Sequence, residues 1–205
     1  MGSVRIASIV EGHGEVLAVP LLIRRFASSA GFSGQIDAPP PFRTPKSKLL
    51  QSGELERLVD AAANKAGKTG GIFILIDSDK DCPAKLGPEL LRRARHSRND
   101  IPIALVLAHQ EFESWFLGSV QSLLEVRDFR PTLKNHPQPE TISGCKEWLT
   151  TTLSKGRKYS ELLDQPALTQ AFDFEMAKAN CPSFEKCHRE LMSLINQLVD
   201  SASGQ

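Results

Sequence analysis

Three runs of the chain are apolar almost throughout: residues 4–10 (VRIASIV), 72–76 (IFILI) and 101–108 (IPIALVLA). A strand with one face in water alternates apolar and polar residues. Uniformly apolar runs belong instead to a sheet covered on both faces. Between them the pattern changes period. Leu17, Leu21, Leu22 and Phe26 recur at helical spacing within residues 15–30, and Leu55, Leu58, Val59, Ala62 and Ala66 mark one face of a second helix. Strands alternating with helices define an α/β fold around a parallel sheet.

Residues 35–42 add a weaker extended segment, in which Pro39-Pro40-Pro41 suits a sheet edge or a loop. The expected sheet therefore has about four strands. Pro20 is expected in the first turn of its helix or at a kink. Residues 86–96 predict a basic helix and 111–124 a further one. Residues 1–125 are read as the α/β domain. The polar, Pro-rich stretch 126–143 (VRDFRPTLKNHPQPETIS) reads as a linker or long surface loop. A helical region over 144–200 is expected to pack on the domain, with helices at 146–153, 159–172 and 184–199, and 201–205 as a disordered tail.

Bulk charge decides little, because 25 basic and 24 acidic residues leave a net charge of +1. Cys82, Cys145, Cys181 and Cys187 include no C-x2-C pair, which predicts free thiols rather than zinc ligands. No apolar stretch approaches the roughly 20 residues that span a bilayer, and the first residues lack the basic start and cleavage site of a secretory signal. A cytoplasmic protein without membrane association is the expectation.

The chemistry is expected where the strands end. Glu11 follows the first apolar run, and Asp77, Asp79 and Asp81 follow the clearest one. In an open parallel sheet all carboxyl ends share one edge, where ligands bind. Asp77 and Asp79 face the same way if the extended conformation persists through Ser78. Clustered carboxylates repel, and each drifts towards protonation unless a cation intervenes. Mg2+ or Mn2+ suits such an all-oxygen set. A bound ion would orient a phosphate and activate water against it. His13 is read as a turn residue.

The segment Ile9-Val10-Glu11-Gly12, followed by a helix and later by Ile76-Asp77-Ser78-Asp79, resembles the Toprim domain of topoisomerases, bacterial primases and OLD-type nucleases. The doubled acid of Glu11-Gly12-His13-Gly14-Glu15 is more similar to the OLD-type branch. More closely, VEGHGEVLAVPLLIRR, LIDSDKD, EFESWFL and KYSELLDQPALTQAFDF…CPSFEKC resemble a family of small bacterial Toprim-like proteins found beside ABC-type ATPases. That resemblance covers nearly the whole chain.

It implies Glu11 as general acid/base or metal ligand and Asp77 and Asp79 as the metal-binding pair. It further implies Glu15 as a holder of a second ion and Asp81 as a ligand through water. Glu113 is favoured over Glu111 as a further ligand, both also being ordinary acids for a helix start. A lysine near the scissile phosphate is implied as well. Lys146, Lys155 and Lys158 are the choices, with Lys158 taken as catalytic. Arg92, Arg93 and Lys155 are candidates for contact with a nucleic-acid backbone.

The expected function is metal-dependent hydrolysis of DNA or RNA, with an ABC-type ATPase on a separate chain as partner and phage defence as the setting. Two rivals stand beside it: a non-catalytic adaptor that regulates the ATPase, and a hydrolase of small phosphoesters. A dinucleotide site is excluded because Leu17 stands where G-x-G-x-x-G needs its third glycine. Topoisomerase chemistry is set aside because Tyr159, the only tyrosine, falls in a predicted helix among core-like residues.

Overall fold

The computed structural model describes residues 3–32, 34–130, 132–154 and 156–203. The first half runs β1 (Ser3–Val10), α1 (Glu15–Ser29), β2 (Gln35–Asp37), β3 (Phe42–Arg43), α2 (Lys46–Leu49), α3 (Glu54–Ala66), β4 (Gly71–Asp77), α4 (Pro83–Ser97) and β5 (Ile103–Ala108). The second half is helical: α5 (Ser114–Gly118), α6 (Cys145–Thr152), α7 (Asp164–Ala171), α8 (Phe174–Asn180) and α9 (Pro182–Ser203).

Among the described residues the strands β1 to β5 pair in parallel, in the order β2-β1-β4-β5, with β3 also on β1. The sheet has five strands because the weak edge segment is broken in two. β2 pairs with residues 3–5 of β1 and β3 with residues 9–10. The three prolines between them carry no N–H to continue the ladder. From β1 the chain goes first to this edge and later to β4 on the opposite flank, which opens a crevice at the carboxyl ends of β1 and β4.

β1, β4 and β5 are apolar on both faces because both faces are covered. Val4, Ile6, Val10, Phe73, Leu75, Ala104 and Val106 join a core with α1, α7 and α9. Ala7, Ile9, Ile72, Ile74, Ile76, Leu105 and Leu107 join a second core with α3 and α4. Among the described residues, no helix is long and apolar enough to cross a membrane.

The structure corrects several boundaries. Pro20 lies inside α1, which begins five residues before it. The helix expected over 111–124 is cut to α5 and a 3-10 turn at Val120–Leu123. Gly118 ends α5 in close contact with α8, where a Cβ would overlap the Cys181 Sγ. The segment 126–143 is bound into the fold, with Phe129 buried and bridged to Leu153, and Glu140 buried against Ser183. Tyr159 precedes α7 in an irregular segment rather than lying in a helix. The expected tail is helical through Ser203, and its positions 204 and 205 lie outside the described residues.

Candidate functional site

Parallel pairing sets the ends of β1, β4 and β5 side by side, Val10 against Leu75 and Asp77 against Ala108. On β4 Phe73 and Leu75 point into the α1 and α9 layer, so Asp77, two residues on, belongs to the same face. There it meets the start of α1 and the segment after β5. An open cavity of about 380 Å³ lies at this junction. Glu11 and Glu15 enter it from the β1–α1 turn, Asp77 and Asp79 from the end of β4, and Glu111 and Glu113 from the end of β5. Glu147 and Glu161 complete eight acidic linings, against which Lys146 is the lining lysine.

The cluster is built rather than crowded by accident, because its central acids each have an assigned donor. Asp77 Oδ1 accepts from the Phe112 N–H at 2.8 Å. Glu15 Oε2 accepts from the amides of Glu11 and Gly12 at 3.0 and 3.1 Å, which folds the turn back onto its own helix. Glu113 Oε1 accepts from the Tyr159 hydroxyl at 2.9 Å, and Glu11 Oε1 from the Lys46 N–H at 3.2 Å. In each case these bonds engage one oxygen of the carboxylate. Glu11 Oε2 is buried without a hydrogen-bond partner. Glu111 serves the scaffold instead, since its Oε1 accepts from the Gly144 and Cys145 amides and caps α6.

Burial and mutual repulsion raise these acids. Glu15 is pushed up to about 7, chiefly by burial and further by Glu11, with the two turn amides and Lys146 opposing. Glu113 also reaches about 7 through burial, despite Lys146 and the Tyr159 hydroxyl. Asp77 rises well above the usual range through burial and then through Glu15 and Glu113. Glu11 is raised by burial, and Asp79 adds to the effect. Burial works against the charge of Lys146, but Glu113, Glu161 (2.6 Å away) and Asp77 outweigh it and hold the ammonium protonated.

Glu11, Glu15, Asp77, Asp79 and Glu113 are thus brought together. Other expectations about the site do not hold in full. Asp79 does not continue the strand: its φ is +48° and its N–H donates to the Gln110 carbonyl, which turns the chain there. Asp81 is half exposed, outside the cavity lining, and 3.3 Å from Lys46. Lys158 is exposed and outside the lining, Lys155 lies outside the described residues, and Lys146 takes the position beside the acids. Arg92 is exposed on α4. Arg93 is held by both oxygens of Glu56 at 2.8 and 2.9 Å and by the Leu50 and Gln51 carbonyls, so it ties α4 to α3. Among the described residues, no group of three or more His, Cys, Asp or Glu side chains is arranged to hold a metal ion as it stands.

Sequence reasoning missed Lys46, Glu147 and Glu161. It read Tyr159 as core-like, and the ring does pack against the core while its hydroxyl reaches Glu113. The signal for these residues is tertiary: Tyr159 and Glu161 fall in the KYSELLDQP stretch, but nothing local there marks either as a site residue, and Lys46 and Glu147 come from segments with no such motif. Gly14 shows how close that approach is. A Cβ there would lie 2.6 Å from the Glu161 carbonyl and would overlap Gln165 Oε1. The amide of Gln165 can swing away, but the main chain at Glu161 must move. Gly14→Ala is expected to cost about 1–3 kcal/mol, read as a lower urea midpoint with an unchanged slope.

No curated protein and no solved structure matches the chain. The model of one family matches residues 10–192, a span that holds every acid of the cavity. The chain belongs to that family, described as a domain of unknown function, DUF4276.

Proposed function

We propose that the cavity binds Mg2+ or Mn2+ and that the protein hydrolyses phosphodiester bonds in DNA or RNA, as a nuclease of Toprim type. The observation that carries this reading is the meeting of Glu11, Glu15, Asp77, Asp79 and Glu113 from three strand ends in one cavity beside Lys146. The donor set fits a hard divalent ion. It is all oxygen, Glu11, Glu15, Asp77 and Glu113 are held in place by amides or Tyr159, and Glu11 Oε2 is a buried acceptor without a hydrogen-bond partner. Glu11, Asp77 and Asp79 would hold the ion, with Glu15 and Glu113 next to them. When bound, it supplies a Lewis acid for the phosphoryl oxygen and lowers the pKa of water.

The chain's own groups do the rest. The Lys146 ammonium, kept charged by its acidic neighbours, offsets the negative charge that grows on the phosphate in the transition state. Tyr159 fixes Glu113 by donating to one oxygen. Glu11, raised by burial, is more basic than an ordinary carboxylate, which suits it to accept and return a proton. Resemblance adds a separate ABC-type ATPase as partner, phage defence as the setting and the cytoplasm as the place. The free state of all four cysteines supports the last.

One observation favours the adaptor instead. The Lys46 ammonium already bonds to Asp79, where a ligand oxygen is wanted. Incubation of supercoiled plasmid, single-stranded DNA and RNA with the protein and Mn2+ or Mg2+ decides between the readings. Cleavage that needs the ion and falls at least about 100-fold in Glu11→Gln supports the nuclease. The substitution keeps the carbonyl oxygen that accepts from Lys46, so folding is retained. Mn2+ binding without cleavage of any substrate would move the protein to the adaptor class, and cleavage confined to a small phosphodiester to the third.

A further inference from the structure

Lys46 is buried, with 10% of its side chain exposed. An ammonium so placed keeps its charge only with partners. It donates to the Ser78 carbonyl at 2.9 Å and to Asp79 Oδ2, and Asp81 Oδ2 lies 3.3 Å away. Those three acceptors match the three protons an ammonium carries. Asp79 and Asp81 are each more than half exposed, so water can solvate their charges, whereas Lys46 depends on them. The main-chain N–H of the same residue donates to Glu11 Oε1. A single residue at the start of α2 therefore contacts the acids after β1 and after β4.

We infer that Lys46 is an internal counter-cation of the outer half of the cavity, and that a divalent ion must displace it from Asp79. The inference rests on the metal binding proposed above. The ammonium and an incoming ion seek the same carboxylate, and their like charges repel at short range. Removing the ammonium while keeping the length of the side chain frees Asp79. The Lys46 amide stays in place, so Glu11 keeps its bond. Lys146 makes the natural control: it carries an equal charge but bonds to Glu161 rather than Asp79, so its loss frees no oxygen of that pair.

Titration calorimetry with Mn2+ on the wild type, Lys46→Met, Lys46→Arg and Lys146→Met tests this directly. Lys46→Met is expected to bind Mn2+ more tightly by on the order of ten-fold. Lys46→Arg is expected to stay near the wild type, and Lys146→Met to gain less than Lys46→Met. Circular dichroism checks the fold, and Lys46→Gln replaces the methionine variant if that one is unfolded. A folded, uncharged variant that binds no more tightly than the wild type, or no more tightly than Lys146→Met, would overturn the counter-cation while leaving the proposed function standing. Absence of Mn2+ binding in every variant and in the wild type would overturn both.

Discussion

Asp77→Asn is expected to lose metal binding and cleavage together while making the metal-free protein more stable. The asparagine retains an oxygen to accept from the Phe112 N–H, so the junction between β4 and the segment after β5 survives. The charge is what disappears. Asp77 is raised first by burial and then by Glu15 and Glu113, so in the absence of a cation its ionised form is a source of strain. Relieving it is expected to add about 1–3 kcal/mol, or several degrees in Tm for a chain of this size. Asp77→Ala gives the contrast, since it also removes the charge but leaves the Phe112 amide without its acceptor. It is expected to be the less stable of the two and equally unable to bind Mn2+. Thermal unfolding with and without Mn2+, beside the cleavage assay, reads all three properties. An asparagine variant that still cleaves near the wild-type rate would remove Asp77 from the mechanism. One that loses stability would show that its charge is not strained.

The layout of the sheet was legible because burial on both faces writes itself into sequence as continuous apolar runs. β1, β4 and β5 carry that signature, and Glu11 and Asp77 stand out because each ends such a run. The edge was harder to read. Three prolines mark a break, yet only pairing shows that β2 and β3 occupy successive parts of one position beside β1. Helix α5 stops early for a tertiary reason, the packing of Gly118 against Cys181, which leaves no local trace. Of the basic members of the site, Lys146 was one of three lysines the sequence offered without a way to choose, and Lys46 was hidden. Lys46 and Lys146 sit in polar segments resembling any solvated turn or helix start, and nothing within several residues of either says that its ammonium reaches an acid across the fold. Arg93 misleads in the opposite direction. Its place in a basic helix suggests a phosphate contact, but Glu56 already takes its fork.

The metal-free protein is expected to be most stable in mild acid and to weaken as the solution becomes neutral. Glu15 and Glu113 each titrate near 7 in the folded protein, against an ordinary value of 4.5. The folded state therefore holds more protons than the unfolded chain between about 4.5 and about 7, and stability must fall as pH rises through that window. Each carboxyl alone would contribute a loss on the order of 3 kcal/mol. The two interact, so they titrate as a pair and their losses do not simply add. A drop of roughly 5–10 °C in Tm between pH 5 and pH 8 is expected in the presence of a chelator. Mn2+ is expected to reverse the drop at pH 8, where the carboxylates are ionised, and to do little at pH 5, where protons already neutralise them. A Tm that stays flat over this range without metal would mean that burial and repulsion in the cavity do not raise its acids. A drop that Mn2+ fails to reverse would mean that the strain is real but that the divalent ion is not what relieves it.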